Sequence, residues 1–154
     1  MKERIAVFGM GQMGANMASR LTEQGFDVLG YDNSPARRQE LAERQIAVAD
    51  TVEAALAGRP VVLTSLPDPA AVKSAWLAPG GLVDQAAPGT LIIELSTLDP
   101  DTMREIAAAA AAKGIAVLDC PVSGGPMESL RGELVLIVGG DIADIQRAEP
   151  VLQS

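Results

Sequence analysis

Short apolar runs alternate along the chain with stretches in which apolar positions recur every three or four residues. That alternation predicts an α/β domain with helices layered on a mainly parallel sheet. Arg4-Ile5-Ala6-Val7-Phe8 is almost continuously apolar, which suits a strand buried on both faces. From Gln12 to about Gln24, Met13, Met17 and Leu21 fall four apart on one helical face, and Gly25 stands where a helix ends. Asp27 to Tyr31 reads as the second strand. Ser34-Pro35 opens a helix that runs to about Arg44, and a short strand is expected around Ile46 to Ala49. Asp50 and Glu53 look like a capping pair for the next helix, which stops at Gly58.

Pro60 to Leu66 is the fourth strand, broken by Pro67, and Asp68 caps a helix to about Leu77. Pro79-Gly80-Gly81 marks a turn before a short helical stretch ending near Ala86. Thr90 to Leu95 is a strand, Asp99-Pro100 caps an alanine-rich helix that Gly114 terminates, and Ile115 to Asp119 is a strand again. Cys120 to Gly132 is rich in Pro, Gly and Ser and shows no helical period, and Leu134 to Val138 is a further strand. A connection without a crossover helix favours an antiparallel neighbour at one sheet edge. A last helix begins at Asp141. No internal repeat is present, and the alanines 107–112 are plain helix formers.

With 154 residues and 48% hydrophobic side chains, the chain can build one cored domain rather than a disordered segment. Twelve Lys plus Arg against 20 Asp plus Glu give a formal charge of −8, the wrong balance for phosphate-backbone contacts, so no nucleic-acid partner is expected. The absence of His removes imidazole-based catalysis and imidazole metal sites, and a lone Cys120 offers neither disulfide nor thiolate cluster. Cys120 reads as a small buried residue. No 18-residue uncharged apolar run occurs, and Met1-Lys2-Glu3-Arg4 leads directly into a strand, so a soluble, cytoplasmic chain with no membrane partner is expected.

Gly9-Met10-Gly11-Gln12-Met13-Gly14 is a G-x-G-x-x-G turn that follows an apolar strand and opens a helix. In that context it points to a dinucleotide-binding, Rossmann-type doubly wound fold. Gly9 permits the tight turn, Gly11 lets backbone approach a pyrophosphate, and Gly14 lets the helix pack closely on the sheet. Helix N–H groups and the positive end of the helix dipole then face the phosphates. Asp32, 18 residues beyond Gly14 at the end of the second strand, can accept hydrogen bonds from the adenosine ribose and repel a 2′-phosphate. NAD is therefore favoured over NADP. Arg37 and Arg38 could offer cations to such a phosphate, but they lie in the following helix and read as a solvated basic face.

Four motifs in order resemble the β-hydroxyacid dehydrogenase family, which includes 3-hydroxyisobutyrate dehydrogenase and 6-phosphogluconate dehydrogenase. Phe8 to Ala18 resembles its opening signature, Ser65-Leu66-Pro67 the loop along the cofactor, Glu94-Leu95-Ser96-Thr97 its Ser-Thr pair, and Asp119 to Gly125 its substrate loop. The resemblance implies cofactor contacts at Gly9, Met10, Gly11, Gln12, Met13, Gly14, Asp32, Asn33, Leu66, Pro67 and Thr97. It implies a substrate carboxylate held at Ser123, Gly124 and Gly125, where a hydroxyl and two unobstructed backbone N–H groups are expected. The chain departs from the family at Met10, at Arg20 and at Met127-Glu128-Ser129-Leu130-Arg131, a stretch that is usually small and alanine-rich.

The family's acid/base lysine follows the part that this chain resembles, and Lys2, Lys73 and Lys113 do not match its motif. No catalytic residue is therefore expected within residues 1–154. The chain reads as the dinucleotide-binding domain, without the helical C-terminal domain expected for the family. The longer protein is expected to be a homo-oligomeric oxidoreductase of a small 3-hydroxy acid. The alternatives are a non-catalytic dinucleotide-binding module and an NADP-dependent imine-reducing relative. The second ranks lower because that group tends to carry Asn-Arg-Thr where this chain has Asp32-Asn33-Ser34.

Overall fold

Five parallel strands form the central sheet: β1 (Arg4–Phe8), β2 (Asp27–Tyr31), β3 (Val61–Thr64), β4 (Leu91–Glu94) and β5 (Ala116–Asp119), in the order β2-β1-β3-β4-β5. The computed structural model describes residues 3–154; Met1 and Lys2, expected ahead of the first strand, lie outside the described residues. Because strand side chains alternate, Ile5, Val7, Leu63 and Ile93 enter one core while Ala6, Phe8, Val62 and Ile92 enter the other. The sheet is thus apolar on both faces and covered on both, as a doubly wound fold requires.

Helix α1 (Gln12–Glu23) packs Met17, Ala18 and Leu21 on the first face, where α8 (Ile142–Leu152) adds Ala148 and Val151. The second face is covered by α3 (Val52–Leu56), α4 (Pro69–Leu77), α5 (Leu82–Gln85) and α6 (Pro100–Ala111). Trp76 of α4 is fully buried there beside Ile92 and Ile106. Helix α2 (Pro35–Glu43) begins at Ser34, whose hydroxyl accepts the Arg37 N–H. None of these helices is long and apolar enough to cross a membrane.

Three local expectations need correction. Residues 46–49 make a single parallel bridge, Val48 to Gly30, rather than a strand. The cap of α3 is Thr51, whose hydroxyl accepts the Ala54 N–H, not the Asp50–Glu53 pair. The glycine-rich segment after β5 contains a strand, β6 (Val122–Ser123), and a six-residue helix, α7 (Pro126–Arg131). That helix is too short to show a period, but its ends were marked by Pro126 at the start and Gly132 in the left-handed region at the finish. The antiparallel edge is present in short form: β7 (Val135–Leu136) pairs with β6, and Asp119 bridges Gly139 beside β5.

Candidate functional site

The sheet order reverses between β1 and β3, the place where open α/β sheets carry a crevice at their carboxyl ends. A cleft of about 700 Å³ opens there. Its floor is the glycine turn, and one wall is Ser65, Leu66 and Pro67 after β3. Tyr31, Asp32 and Asn33 border it after β2, while Ala71, Ser74 and Ala75 of α4 and the turn 78–81 close the far side. Asp32 is the only charged residue in this lining.

The turn is shaped by what its glycines lack. Gly9 sits at φ +87°, and a Cβ there would lie 2.1 Å from the Ser65 carbonyl oxygen. At Gly14 a Cβ would lie 1.9 Å from the Gly9 oxygen, so the first turn of α1 rests directly on the loop. Gly11 differs: a Cβ there would meet nothing and would occupy the cleft itself. Among the described helices of eight residues or more, α1 alone lacks a side-chain cap; Ser34, Asp68, Asp99 and Asp141 cap the others. Its first N–H groups are left for a ligand, and no acid in the first turn opposes an anion. A dinucleotide diphosphate fits this cradle.

Asp32 is anchored from two sides. Its Oδ2 accepts the Met10 N–H at 3.0 Å and its Oδ1 accepts the Ser34 N–H at 2.9 Å. Each carboxylate oxygen keeps a further lone pair for a ligand hydroxyl. Met10 contributes backbone only: its side chain is fully buried and lies against Gly30, away from the cleft. Arg37 and Arg38 do not form the solvated face expected of them. Arg37 Nε donates to the Met10 carbonyl at 2.7 Å and its Nη1 to Glu40 at 2.6 Å. Arg38 Nη1 donates to the Asp32 carbonyl at 2.7 Å and its guanidinium sits 5.6 Å from the Tyr31 ring centre.

Thr97 and Ser123–Gly125 lie past the carboxyl ends of β4 and β5 but outside the lining of this cleft. Thr97, Ser123 and Gly124 are exposed. The Gly125 N–H is not open, as expected from sequence, because it donates to Glu128 Oε2 at 2.9 Å. The α7 backbone at Glu128 first, and that bond second, hold the Glu128 carboxyl below its usual range. Asn16 Nδ2 of α1 donates to the Pro126 carbonyl at 2.8 Å and so fixes this loop to the glycine-turn helix. Arg20 Nε donates to the Ser154 carbonyl beside Gly132.

Sequence reading missed Glu94 as a structural centre. It is fully buried at the end of β4, and burial pushes its carboxyl pKa up against hydrogen bonds that lower it. Oε2 accepts from Thr64 Oγ1 at 2.6 Å and from Trp76 Nε1 at 3.0 Å; Oε1 accepts the Ser96 N–H at 2.7 Å. The Ser96 hydroxyl then accepts the Leu66 N–H at 2.8 Å. A buried acid in an otherwise apolar strand was the available signal.

Neither Lys73 nor Cys120 is poised for chemistry. Lys73 Nζ pairs with Glu105 at 2.6 Å, which raises its pKa above the usual value. Burial first, and Asp119 second, push the Cys120 thiol up to about 11. Iodoacetamide at pH 8 is expected to leave folded Cys120 unlabelled while labelling it fully in denaturant; rapid native labelling would show the thiol reachable.

The model of the NAD-binding domain of 6-phosphogluconate dehydrogenase matches residues 4–154. The 3-hydroxyisobutyrate dehydrogenase of Pseudomonas aeruginosa is 40% identical over 150 residues, covering 97% of this chain and 50% of that protein. The solved Mycobacterium tuberculosis 3-hydroxyisobutyrate dehydrogenase with L-serine superposes with a TM-score of 0.90 at 36% identity, over 99% of this chain and 52% of that one. Psf3, solved with NADP+ and 2-OPP, gives a TM-score of 0.90 at 28% identity, over 97% of this chain and 53% of its own. The chain thus spans about half the length of the relatives it matches. Glycine cradle, switch-point cleft and matched length agree: the chain belongs to the family of the 6-phosphogluconate dehydrogenase NAD-binding domain, the N-terminal domain of β-hydroxyacid dehydrogenases.

Proposed function

We propose that this chain binds NAD in the switch-point cleft and serves as the dinucleotide half of an oxidoreductase of small 3-hydroxy acids. The observation that carries the reading is a cleft whose phosphate cradle is uncapped backbone and whose only charged lining residue is Asp32. An anion at that point suits a free 2′-hydroxyl and repels a 2′-phosphate. Arg37, paired with Glu40, and Arg38, held at the Asp32 carbonyl, are both outside the cleft lining, so neither is turned toward a 2′-phosphate there.

The bound nicotinamide supplies hydride chemistry; the chain supplies orientation. The glycine turn and α1 hold the diphosphate, Leu66-Pro67 and Thr97 border the nicotinamide, and Ser123 with Gly124 and Gly125 binds the substrate carboxylate. That carboxylate competes with Glu128 for the Gly125 N–H. The family resemblance puts the proton-transferring lysine in the half of the relatives that this chain does not span, so this stretch alone is expected to bind cofactor and turn over little.

Isothermal titration with NAD and NADP tests the cofactor choice. NAD is expected to bind at least about tenfold more tightly, and Asp32→Ala to remove most of that preference, because charge-assisted hydrogen bonds contribute roughly 1.5–3 kcal/mol. Equal affinity for both dinucleotides, untouched by Asp32→Ala, would overturn this account of specificity.

A further inference from the structure

Leu91, Ile92 and Ile93 of β4 are fully buried and apolar, and Glu94 continues the same strand at the same depth. Packing alone would favour a fourth apolar residue, because a buried carboxyl is costly unless its oxygens are satisfied. The hydrogen bonds that satisfy it come from three separate places. Thr64 closes β3, Trp76 belongs to α4, and Ser96 lies in the loop after β4. Through the Ser96 hydroxyl the chain of bonds continues to the Leu66 N–H. Two of these segments border the cleft and the third is tied to its wall: Ser65, Leu66 and Pro67 follow Thr64; Ala71, Ser74 and Ala75 precede Trp76 by five residues or fewer on α4; and Ser96 holds the Leu66 N–H.

The network also sits on one side of the cleft. Asp32 directly follows β2, and Glu94 ends β4, three strand spacings away in the order β2-β1-β3-β4. At about 4.8 Å per spacing that is roughly 14 Å. A ligand that places its adenosine at Asp32 reaches the Leu66 and Ser96 loops with its opposite half.

We propose that Glu94 and Ser96 are positioning residues that set the cleft's nicotinamide side, by tying the loops 65–67 and 96–97 and helix α4 to one buried carboxyl. The inference rests on the reading that NAD lies across the cleft with its adenosine at Asp32. Neither residue touches the cofactor; each acts through the backbone it holds. A carboxyl in this place can accept from three donors at once, which no amide or hydroxyl can do with the same geometry.

The test compares a whole dinucleotide with its adenosine half. The chain, Ser96→Ala and Glu94→Gln are each titrated with NAD and with AMP. Both substitutions are expected to weaken NAD by at least about fivefold, since each leaves a buried donor without its acceptor. AMP affinity should stay within about twofold, because Asp32 and the β2 end are untouched. A general loosening of the fold would lower both affinities together, and that result, like unchanged NAD affinity, overturns the proposal. Ser96→Ala leaves Glu94 with its Thr64 and Trp76 partners, so it decides the matter if Glu94→Gln does not fold. Trp76, the only tryptophan, reports through its emission whether the network's surroundings survive. An unsubstituted chain that binds AMP but not NAD would overturn the reading underneath and this inference with it; an unsubstituted chain that binds NAD, beside variants that bind it equally well, would overturn this inference alone.

Discussion

Gly14→Ala will both destabilise the protein and abolish dinucleotide binding. The new methyl would lie 1.9 Å from the Gly9 carbonyl oxygen and 3.0 Å from its carbon. Those are backbone atoms held at φ +87° between β1 and α1, so they cannot swing aside as a flexible side chain would. The helix start must move away from the turn, and overpacking of this kind costs about 1–3 kcal/mol, or roughly 2–12 °C in Tm for a chain of this size. Displaced N–H groups no longer converge on a phosphate. Charge-assisted bonds contribute roughly 1.5–3 kcal/mol each, so losing two weakens NAD by more than about 100-fold. Gly11→Ala separates the two effects. Its methyl meets no protein atom and enters the cleft, and its backbone is extended with φ −63°, which alanine adopts without strain. The melting temperature should hold while NAD affinity falls. If Gly11→Ala bound NAD as tightly as the parent, the diphosphate would not lie against this turn.

The second large effect is on stability. Trp76 is the largest fully buried side chain, wedged between α4 and the sheet beside Ile92 and Ile106. Trp76→Ala removes that volume and leaves one buried Glu94 oxygen with a single donor, Thr64. Truncations of buried aromatic residues cost about 3–5 kcal/mol, equivalent here to roughly 6–20 °C in Tm by thermal denaturation. Trp76→Phe keeps most of the packing and loses only the indole donor, so its loss should be smaller by half or more. Equal destabilisation by the two would mean that the hydrogen bond to Glu94, rather than the ring, dominates.

The sheet was legible because its strands are buried on both faces. Ile5 to Phe8, Val61 to Leu63 and Leu91 to Ile93 are unbroken apolar runs, and each is flanked by a capping residue or glycine that punctuates the chain. Caps at Ser34, Asp68, Asp99 and Asp141 are where their side chains predict them. The glycine turn was legible for the same reason: its chemistry is local, strand then turn then helix. What escaped the sequence depends on distant partners. Nothing near Arg37 announces that its guanidinium reaches back to the Met10 carbonyl. Glu128 is a local exception: an exposed acid three residues after Gly125, it covers the Gly125 N–H at the start of a helix too short to show a period. Glu94 acquires its role only when β3, α4 and the loop after β4 converge on it.

One strut serves two ends of the molecule. Helix α1 presents its bare first turn to the cleft, and Asn16, one turn further along, grips the backbone where α7 begins. A helix is stiff along its axis, so any tilt at its tip is a proportionate swing at Pro126. The phosphate seat and the hydroxyl-bearing loop 123–125 therefore ride on a common lever, and a change that re-aims one re-aims its companion.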